Sequence, residues 1–349
     1  MDFDGFEKLI YHHEKIVKIR GDRPQFPVHI TLSLGNYCNH KCRWCTVFAH
    51  QEGDIRHADA DRILGFLDKG KARGLAAVGY VGNGEPTAYP GFDAFTTRVH
   101  EMGLEQGMFT NGYLLHRHME AVLSYFTYVR ISLDAGSTPV HDAMHVVNGH
   151  FDRIIANVRE IIRRRRNSLP TVGIQYVTHH ENLDDLPRAA ALASELQVDY
   201  LNVKPVFNWG GGRVPDRIPA NNLKPEELDR AVAEIRAQYE TRSFKIQYKP
   251  FQIEAVAADS NILRYGRCVA GFFNLSLYET GVLVACGPHR VEVGTVDDSI
   301  EEIEARVMEL TKSLDLSNCP AACRYHPLNH IVDTVLHPEH GREYHKNFL

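Results

Sequence analysis

The sequence predicts an α/β fold, a partial (β/α)6 TIM-like barrel followed by a small α+β domain. Two observations support this prediction. Before about Glu240, short runs rich in Val, Ile, Tyr and Phe alternate six times with amphipathic stretches. After Glu240 the alternation stops, and a hairpin and a helix follow. Six strand–helix repeats favour parallel strands joined by right-handed crossovers, although a doubly wound sheet fits nearly as well.

Six strands are predicted in the first part of the chain, each close to a polar or glycine-bearing loop. They are His29–Leu34, Ala77–Gly82, Gln106–Thr110, Tyr128–Leu133, Val172–Val177 and Tyr200–Val206. Ligands of such α/β folds bind at the carboxyl ends of the strands. We therefore expect the functional residues directly after these strands.

Three helices between the strands have clear sequence signals. Apolar residues recur at helical spacing from Phe151 to Ile162, which predicts one buried stripe. A second helix follows Asp61 and ends near Gly74, and a third begins at Pro225 with two glutamates in its first turn. These helices supply the crossovers of the predicted barrel.

The last third of the chain has a different pattern. Phe272–Tyr278 and Val282–Ala285 flank Thr280-Gly281, which predicts a β-hairpin. A helix from about Ser299 to Ser313 follows. We therefore predict an N-terminal extension over 1–25, the partial barrel over 26–240 and a second domain over 241–349.

Composition and charge exclude several classes of protein. Hydrophobic residues make up 44% and charged residues 24%, as in an ordinary globular chain. The net charge of −5 argues against a nucleic-acid partner, and the basic run Arg163–Arg166 is typical of a solvated helix end. The sequence contains neither an apolar run of about 18 residues nor a signal peptide, which predicts a cytoplasmic protein without a membrane partner.

Seven cysteines fall into two groups. Cys38, Cys42 and Cys45 have the spacing C-x3-C-x2-C and directly follow the first predicted strand. Tetrahedral zinc normally takes four protein ligands, whereas three cysteines on a cubane iron–sulfur cluster leave one iron open. The alternative is a set of buried free thiols. Twenty histidines include no H-E-x-x-H pair, and we interpret most of them as surface or ordinary hydrogen-bonding residues.

The cysteine loop resembles the signature of the radical S-adenosylmethionine (SAM) enzymes, which prefer an aromatic residue such as Trp44 before the last cysteine. Further motifs of that family follow the next strands. They are Gly82-Asn83-Gly84-Glu85-Pro86, in which Asn83 replaces a glycine, Thr110-Asn111-Gly112, Ser132-Leu133-Asp134, and Val177-Thr178 through Asn182. The resemblance covers about residues 28–207.

The resemblance implies cofactors and the residues that bind them. Cys38, Cys42 and Cys45 would hold a [4Fe–4S] cluster whose free iron binds SAM. The SAM-binding set would be Trp44, Gly82, Asn83, Gly84, Glu85, Pro86, Thr110, Asn111, Ser132, Asp134 and Val177. Glu85 and nearby backbone would accept the SAM amino group. An electron from a flavodoxin- or ferredoxin-type reductant would cleave SAM, and the resulting 5′-deoxyadenosyl radical would take a hydrogen atom from the substrate.

The second group of cysteines resembles the twitch extension, a short SPASM-like domain of some radical SAM enzymes. Cys268 and Cys286 read C-x12-G-x4-C, and Cys319 and Cys323 follow a predicted helix. The resemblance implies an auxiliary [4Fe–4S] cluster on these four residues. The last pair has C-x3-C spacing where C-x2-C is usual, so either Cys319 or Cys323 could instead be a free hydrogen donor. A structural zinc site and plain buried thiols are the alternatives.

The twitch resemblance suggests oxidation of a carbohydrate. The main hypothesis is dehydrogenation of a carbinol carbon in a sugar or cyclitol during natural-product biosynthesis, as in enzymes of the 2-deoxy-scyllo-inosamine dehydrogenase type. A sugar epimerase with a Cys or Tyr donor and a ribosomal peptide-modifying enzyme are alternatives, and a non-catalytic scaffold is a fourth. Asn202 and Lys204 on the sixth strand and Trp209 after it are the predicted substrate-binding residues.

Overall fold

The computed structural model describes residues 7–47, 53–206, 221–249, 265–320 and 323–337. Ten strands form one mixed sheet in this part of the chain. Their bounds are β1 His29–Leu32, β2 Ala77–Tyr80, β3 Glu105–Thr110, β4 Phe126–Ser132, β5 Thr171–Thr178, β6 Tyr200–Pro205, β7 Lys245–Tyr248, β8 Asn274–Leu277, β9 Val282–Cys286 and β10 Val291–Thr295. All six predicted strands are present, with ends that differ by one or two residues from the prediction.

The sheet has the order β10-β9-β8-β1-β2-β3-β4-β5-β6-β7. Strands β1 to β7 run parallel in chain order, so the order does not reverse as it does in a doubly wound sheet. The structure thus confirms a mixed α/β fold with a parallel sheet. The hairpin β8–β9 is also present, and β8 pairs in parallel with β1.

Ten α-helices lie in the described residues. Their bounds are α1 His13–Arg20, α2 Ala60–Ala72, α3 Phe92–Glu101, α4 Met119–Tyr125, α5 Thr138–His145, α6 Phe151–Arg164, α7 Leu186–Glu195, α8 Pro225–Tyr239, α9 Ile300–Ser313 and α10 His326–Leu336. The Asp59 carboxylate caps α2, and Ser299 and Glu302 form a reciprocal capping box on α9. Each of these helices is too short or too polar to cross a bilayer.

Burial alternates along the strands because the two faces of the sheet have different neighbours. In β6, Leu201 and Val203 are fully or nearly fully buried in the apolar core, whereas Asn202 and Lys204 are half-buried. Neighbouring side chains of a strand point to opposite faces, so one face packs on apolar side chains and the other meets a cavity. The registers Ser132↔Gln175 and Gln175↔Asn202 continue this polar row across three strands.

Two short strands were missing from the sequence prediction. β7 has four residues with two exposed side chains, and the pairing of β10 with β9 contains register shifts. Neither segment has the continuous apolar run by which a central strand is recognised. β7 pairs with β6 and β8 pairs with β1, so the sheet continues past the domain boundary predicted at 240/241, and that boundary stays a prediction.

Candidate active site

A cavity of about 610 Å³ lies at the carboxyl edge of the sheet. All three thiols of the first group line it; none of them is in a disulfide, and all are half-buried. Six residues of the predicted SAM-binding set line the same cavity, namely Gly82, Gly84, Glu85, Thr110, Asn111 and Ser132. The structure therefore brings together residues that lie up to 94 positions apart in the sequence, from Cys38 to Ser132.

The rest of the predicted set lies around this cavity. Trp44, Asp134 and Val177 line an adjoining cavity of about 270 Å³, and Asn83 lines another of about 260 Å³. Pro86 is buried at the start of a short 3-10 turn. The role of each residue in binding SAM stays a prediction.

The thiolate form of the first-group cysteines is unfavourable unless a metal replaces the proton. Burial and the nearby Glu85 carboxylate together raise the pKa of Cys38 to about 12. Burial likewise raises the pKa of Cys42 well above its usual value, with Cys38 and Asp134 adding to the effect. Thiolates are the form that binds metal, so this donor set fits a positively charged iron–sulfur core that would replace the protons.

Glu85 joins the ends of β2 and β3. Its Oε1 accepts hydrogen bonds from the Thr87 and Thr110 hydroxyls at 2.5 and 2.6 Å and from the Thr87 backbone N–H at 3.1 Å. Its Oε2 accepts the Asn111 backbone N–H at 2.8 Å. Burial raises the pKa of Glu85, and these donors oppose that rise. The carboxylate thus fixes both strand ends, a structural role that sequence reasoning did not anticipate.

Asp134 joins the cysteine loop to β5. Its Oδ1 accepts the Val177 backbone N–H at 2.7 Å, and its Oδ2 accepts the Trp44 indole N–H at 3.2 Å. The residue is buried, with a left-handed φ of 55°. The two motifs at the ends of β4 and β5 therefore orient the aromatic residue that precedes Cys45.

Three buried histidines lie beside the cysteine loop, a cluster that our interpretation of most histidines as surface or ordinary hydrogen-bonding residues did not foresee. His40, His141 and His145 are each no more than 2% exposed. The Nδ1 atom of His145 lies 2.9 Å from Nδ1 of His40 and 3.4 Å from Sγ of Cys42. Burial and the neighbouring imidazoles lower the pKa of His40 to about 2, so its ring is neutral. Only the fold places His40 beside the other two, because it precedes them by about 100 positions in the sequence.

The four cysteines of the second group share one neighbourhood. Burial, together with the neighbouring thiols of Cys323, Cys268 and Cys286, raises the pKa of Cys319 to about 12. Burial raises the pKa of Cys323 to about 11. The Asn329 amide donates to Sγ of Cys268 at 3.4 Å, and Nε2 of His289 lies 3.6 Å from Sγ of Cys319. The donor set fits a metal centre, while the role of Cys319 or Cys323 as a hydrogen donor stays a prediction.

Two of the three predicted substrate residues line the main cavity. Asn202 and Lys204 both line it. They lie two residues apart on β6, so their side chains point to the same face of the sheet. Trp209 lies outside the described residues. Burial lowers the pKa of Lys204 to about 8, and the nearby Arg130 contributes to this shift.

The family comparison identifies the domain that forms this site. Residues 32–193 match the radical SAM superfamily. A domain of this superfamily implies a [4Fe–4S] cluster and SAM, which confirms the cofactors predicted from the first cysteine group. The match includes Cys38, Cys42, Cys45 and the motifs at the ends of β2 to β5.

The chain is similar in sequence to a peptide cyclase and to a cofactor-modifying protein. The chain is 27% identical over 225 residues to the PqqA peptide cyclase of Ruegeria pomeroyi, covering 62% of this chain and 59% of that protein. It is 30% identical over 186 residues to the tungsten-containing aldehyde ferredoxin oxidoreductase cofactor-modifying protein of Pyrococcus furiosus, covering 50% of each. The chain thus spans about half to six-tenths of these relatives.

A solved structure has the same fold. SuiB of Streptococcus suis, bound to the precursor peptide SuiA, superposes with a TM-score of 0.68 at 16% identity, covering 91% of this chain and 75% of SuiB. At this identity the likeness concerns the fold. It is consistent with the mixed α/β architecture and the parallel sheet.

These comparisons correct two predictions. Dehydrogenation of a sugar or cyclitol is wrong as the main function, and so is a small carbohydrate as the partner. The relatives include a peptide cyclase, and the epimerase alternative has no support among them. The error arose because the substrate was inferred from the spacing of the second cysteine group. Cysteine spacing is determined by the metal centre that it holds, and it contains no information on the molecule that is oxidised.

Proposed function

We propose that this chain is a radical SAM enzyme that modifies a peptide. The observation that supports this most directly is its sequence similarity to a PqqA peptide cyclase, which extends over more than half of the chain. Peptide modification was one of the alternatives open at the level of sequence. The activity, substrate and partners of the whole protein are part of this proposal, because the alignment covers 59% of that relative.

The shape of the site is compatible with an extended chain. The cavity of about 610 Å³ and the cavity of about 260 Å³ share six lining residues, namely Thr46, Val47, Val81, Gly82, Arg324 and Tyr325. The first contains the three thiols of the cysteine loop, and the second reaches Cys323. A peptide strand advances about 3.3 Å per residue, so several residues could lie along this connected space.

The residues of the chain have distinct parts in the proposed reaction. Cys38, Cys42 and Cys45 would hold the cluster, which together with SAM supplies the radical that removes a hydrogen atom. Glu85 and Asp134 fix the strand ends around it through the hydrogen bonds described above. The main contribution of the protein is to hold one C–H bond of the peptide in reach and to keep water away.

We also propose that the second cysteine group holds an auxiliary [4Fe–4S] cluster in a twitch-like domain, and that the parallel strands form a partial barrel. The mutual effects of the four thiols on their pKa values support a shared metal centre. The electron that starts the reaction would come from a flavodoxin- or ferredoxin-type protein. With all four thiols used as ligands, no cysteine of the second group would remain as a hydrogen donor.

The test uses the full chain after anaerobic reconstitution with iron and sulfide. Candidate peptides are those encoded by short reading frames beside its gene, and the readouts are 5′-deoxyadenosine and peptide mass. We expect at least one peptide to raise 5′-deoxyadenosine formation about tenfold and to change mass, as an added transition-state interaction of about 1.4 kcal/mol would allow. Equal SAM cleavage with and without every peptide, and no mass change, would contradict the proposal. A variant with Cys38, Cys42 and Cys45 all changed to Ala is the matched inactive control.

A further inference from the structure

The main cavity has an unusual excess of positive charge. Four basic side chains line it, those of Arg130, Lys204, Lys249 and Arg324. Among the described residues of the lining, Glu85 is the only carboxylate. These bases come from four separate parts of the fold, since Arg130 lies on β4, Lys204 on β6, Lys249 directly after β7 and Arg324 directly after Cys323.

The carboxylates near this cavity already accept hydrogen bonds from other groups of the chain. Glu85 accepts four hydrogen bonds from Thr87, Thr110 and Asn111. Asp134, which lines the adjoining cavity with Lys204, accepts from Trp44 and from the Val177 backbone. Neither forms an ion pair with Arg130 or Lys204 in the described part of the chain.

Arg130 and Lys204 themselves lack anionic partners. The Arg130 guanidinium stacks on the Phe109 ring at 3.6 Å from its centroid and lies beside the Tyr200 hydroxyl, while its buried Nε has no hydrogen-bond acceptor. The Lys204 side-chain ammonium forms no hydrogen bond or ion pair with another residue that the structure describes. Unpaired cations in a buried site are costly, so this pair is suited to receive an anion from outside the chain.

The cofactors do not supply enough negative charge to balance this excess. An oxidised [4Fe–4S] core has two positive charges against three thiolates, which leaves one negative charge. SAM has one carboxylate against an ammonium and a sulfonium, so it brings one positive charge. The two cancel. The proposed auxiliary cluster, with four thiolates, would add two negative charges on the side of Cys323 and Arg324, so the surplus that remains for the substrate is that of Arg130 and Lys204.

We propose that Arg130 and Lys204 form a carboxylate subsite that binds an acidic side chain, Asp or Glu, of the peptide substrate. The planar guanidinium of Arg130 on β4 offers N–H donors that match the two oxygens of a carboxylate. Lys204 on β6 adds an ammonium that can donate to the same group. The inference rests on the proposed function, because it requires a peptide to enter the cavity. It names the class of that peptide: one with an acidic residue close to the position that is modified.

The experiment compares two mixtures of short, end-capped peptides on the reconstituted full chain with SAM. Both mixtures are randomised with non-acidic residues except at the central position, which is Glu in one and Gln in the other. Retention is measured by anaerobic ultrafiltration and mass spectrometry. We expect the Glu mixture to bind roughly tenfold better, because charged hydrogen bonds are about twice as strong as neutral ones.

Variants and a control identify the side chains responsible. Lys204→Gln and Arg130→Gln should each reduce the Glu preference to within about twofold, and Lys204→Arg should keep it. Lys245→Gln removes a comparable charge from the exposed end of β7 and should leave the preference intact. The affinity for SAM, measured by equilibrium dialysis, should stay within about twofold in Lys204→Gln and in Arg130→Gln.

Each contrary result has a distinct meaning. Equal binding of both mixtures by the unaltered chain overturns the carboxylate subsite and leaves the proposed function intact. Lack of binding by either mixture overturns the proposed function and the subsite with it. A tenfold loss of SAM affinity in the variants, with the Glu preference unchanged, would assign these cations to the carboxylate of SAM and also overturn the inference.

Discussion

Single residues at the carboxyl edge of the sheet have structural roles that the motifs alone do not reveal. Glu85 lies in a motif expected to meet SAM, and the fold uses its carboxylate to join β2 to β3. Asp134 likewise connects Trp44 to β5. These two acids are placed by the backbone before any cofactor binds, which gives the site a fixed geometry at low cost on binding.

Gly84 has no room for a side chain. A Cβ there would lie 2.3 Å from the Tyr37 carbonyl oxygen and 2.7 Å from that of Gly35. We expect Gly84→Ala to lower the free energy of unfolding by about 1–3 kcal/mol, because backbone must move in a packed site. The measurement is chemical denaturation of the apo chain. The matched control is Gly65→Ala on α2, where nothing lies within 4 Å of the added Cβ; it should be neutral or stabilising by about 0.5–1 kcal/mol. Equal effects of the two changes would contradict the crowding argument.

Lys204 should make carboxylate binding depend on pH. Burial and the cations Arg130 and Arg324 lower the pKa of Lys204 to about 8, with Asp134 opposing them. Below that pH the ammonium is charged, and as pH rises through 8 the charge is lost. We therefore expect the Glu mixture to bind equally between about pH 6.5 and 7.5 and severalfold more weakly at about pH 9. Lys204→Arg should remove this dependence, because arginine stays charged. The same decline in the Lys204→Arg variant would assign it to another group.

At the scale of elements, Arg73 forms ion pairs that connect the first and last parts of the chain. Arg73, after α2, binds Glu304 of α9 at 2.5 Å and Glu301 at 2.9 Å. The Glu304 side chain is 5% exposed and that of Glu301 is 68% exposed. Substituting each in turn therefore compares a buried with an exposed carboxylate that binds the same arginine.

We expect Glu304→Gln to lower the free energy of unfolding by about 1–2 kcal/mol, because the neutral amide is a weaker acceptor for Arg73 and the Glu304 side chain itself is buried. Glu301→Gln should cost less than about 0.5 kcal/mol, since an exposed ion pair is screened by water. Urea denaturation of both variants gives the comparison. A larger loss in Glu301→Gln would show that burial does not determine the strength of this contact.

The strands illustrate what a linear pattern predicts well. β1 to β6 were recognisable because each is a compact apolar or alternating run. β7 and β10 were missed because they are short and their pairing depends on neighbours distant in sequence. The histidines around Cys42 were missed for a similar reason, since no local pattern marks residues that meet only after folding.

For the whole molecule, the two cysteine groups make iron content a direct test. We expect about eight irons per reconstituted chain, four for each cluster, and about four after Cys38, Cys42 and Cys45 are all changed to Ala. The reciprocal variant, with Cys268, Cys286, Cys319 and Cys323 changed to Ala, should also keep about four. Iron and zinc are counted by mass spectrometry of the metal. Loss of all iron in the first variant, or zinc in place of the second cluster, would contradict an auxiliary iron–sulfur site.

The sequence by itself determined the cofactor chemistry of this protein and most of its parallel strands. Cysteine spacing and strand-end motifs are local, and the chemistry of a thiolate loop after a strand depends on few other residues. Only the tertiary structure decided what surrounds that chemistry: β8 beside β1, the buried histidines, the acids that join strand ends, and the unpaired bases Arg130 and Lys204. The physical reason is that burial and charge balance are sums over neighbours that the chain brings together only when it folds.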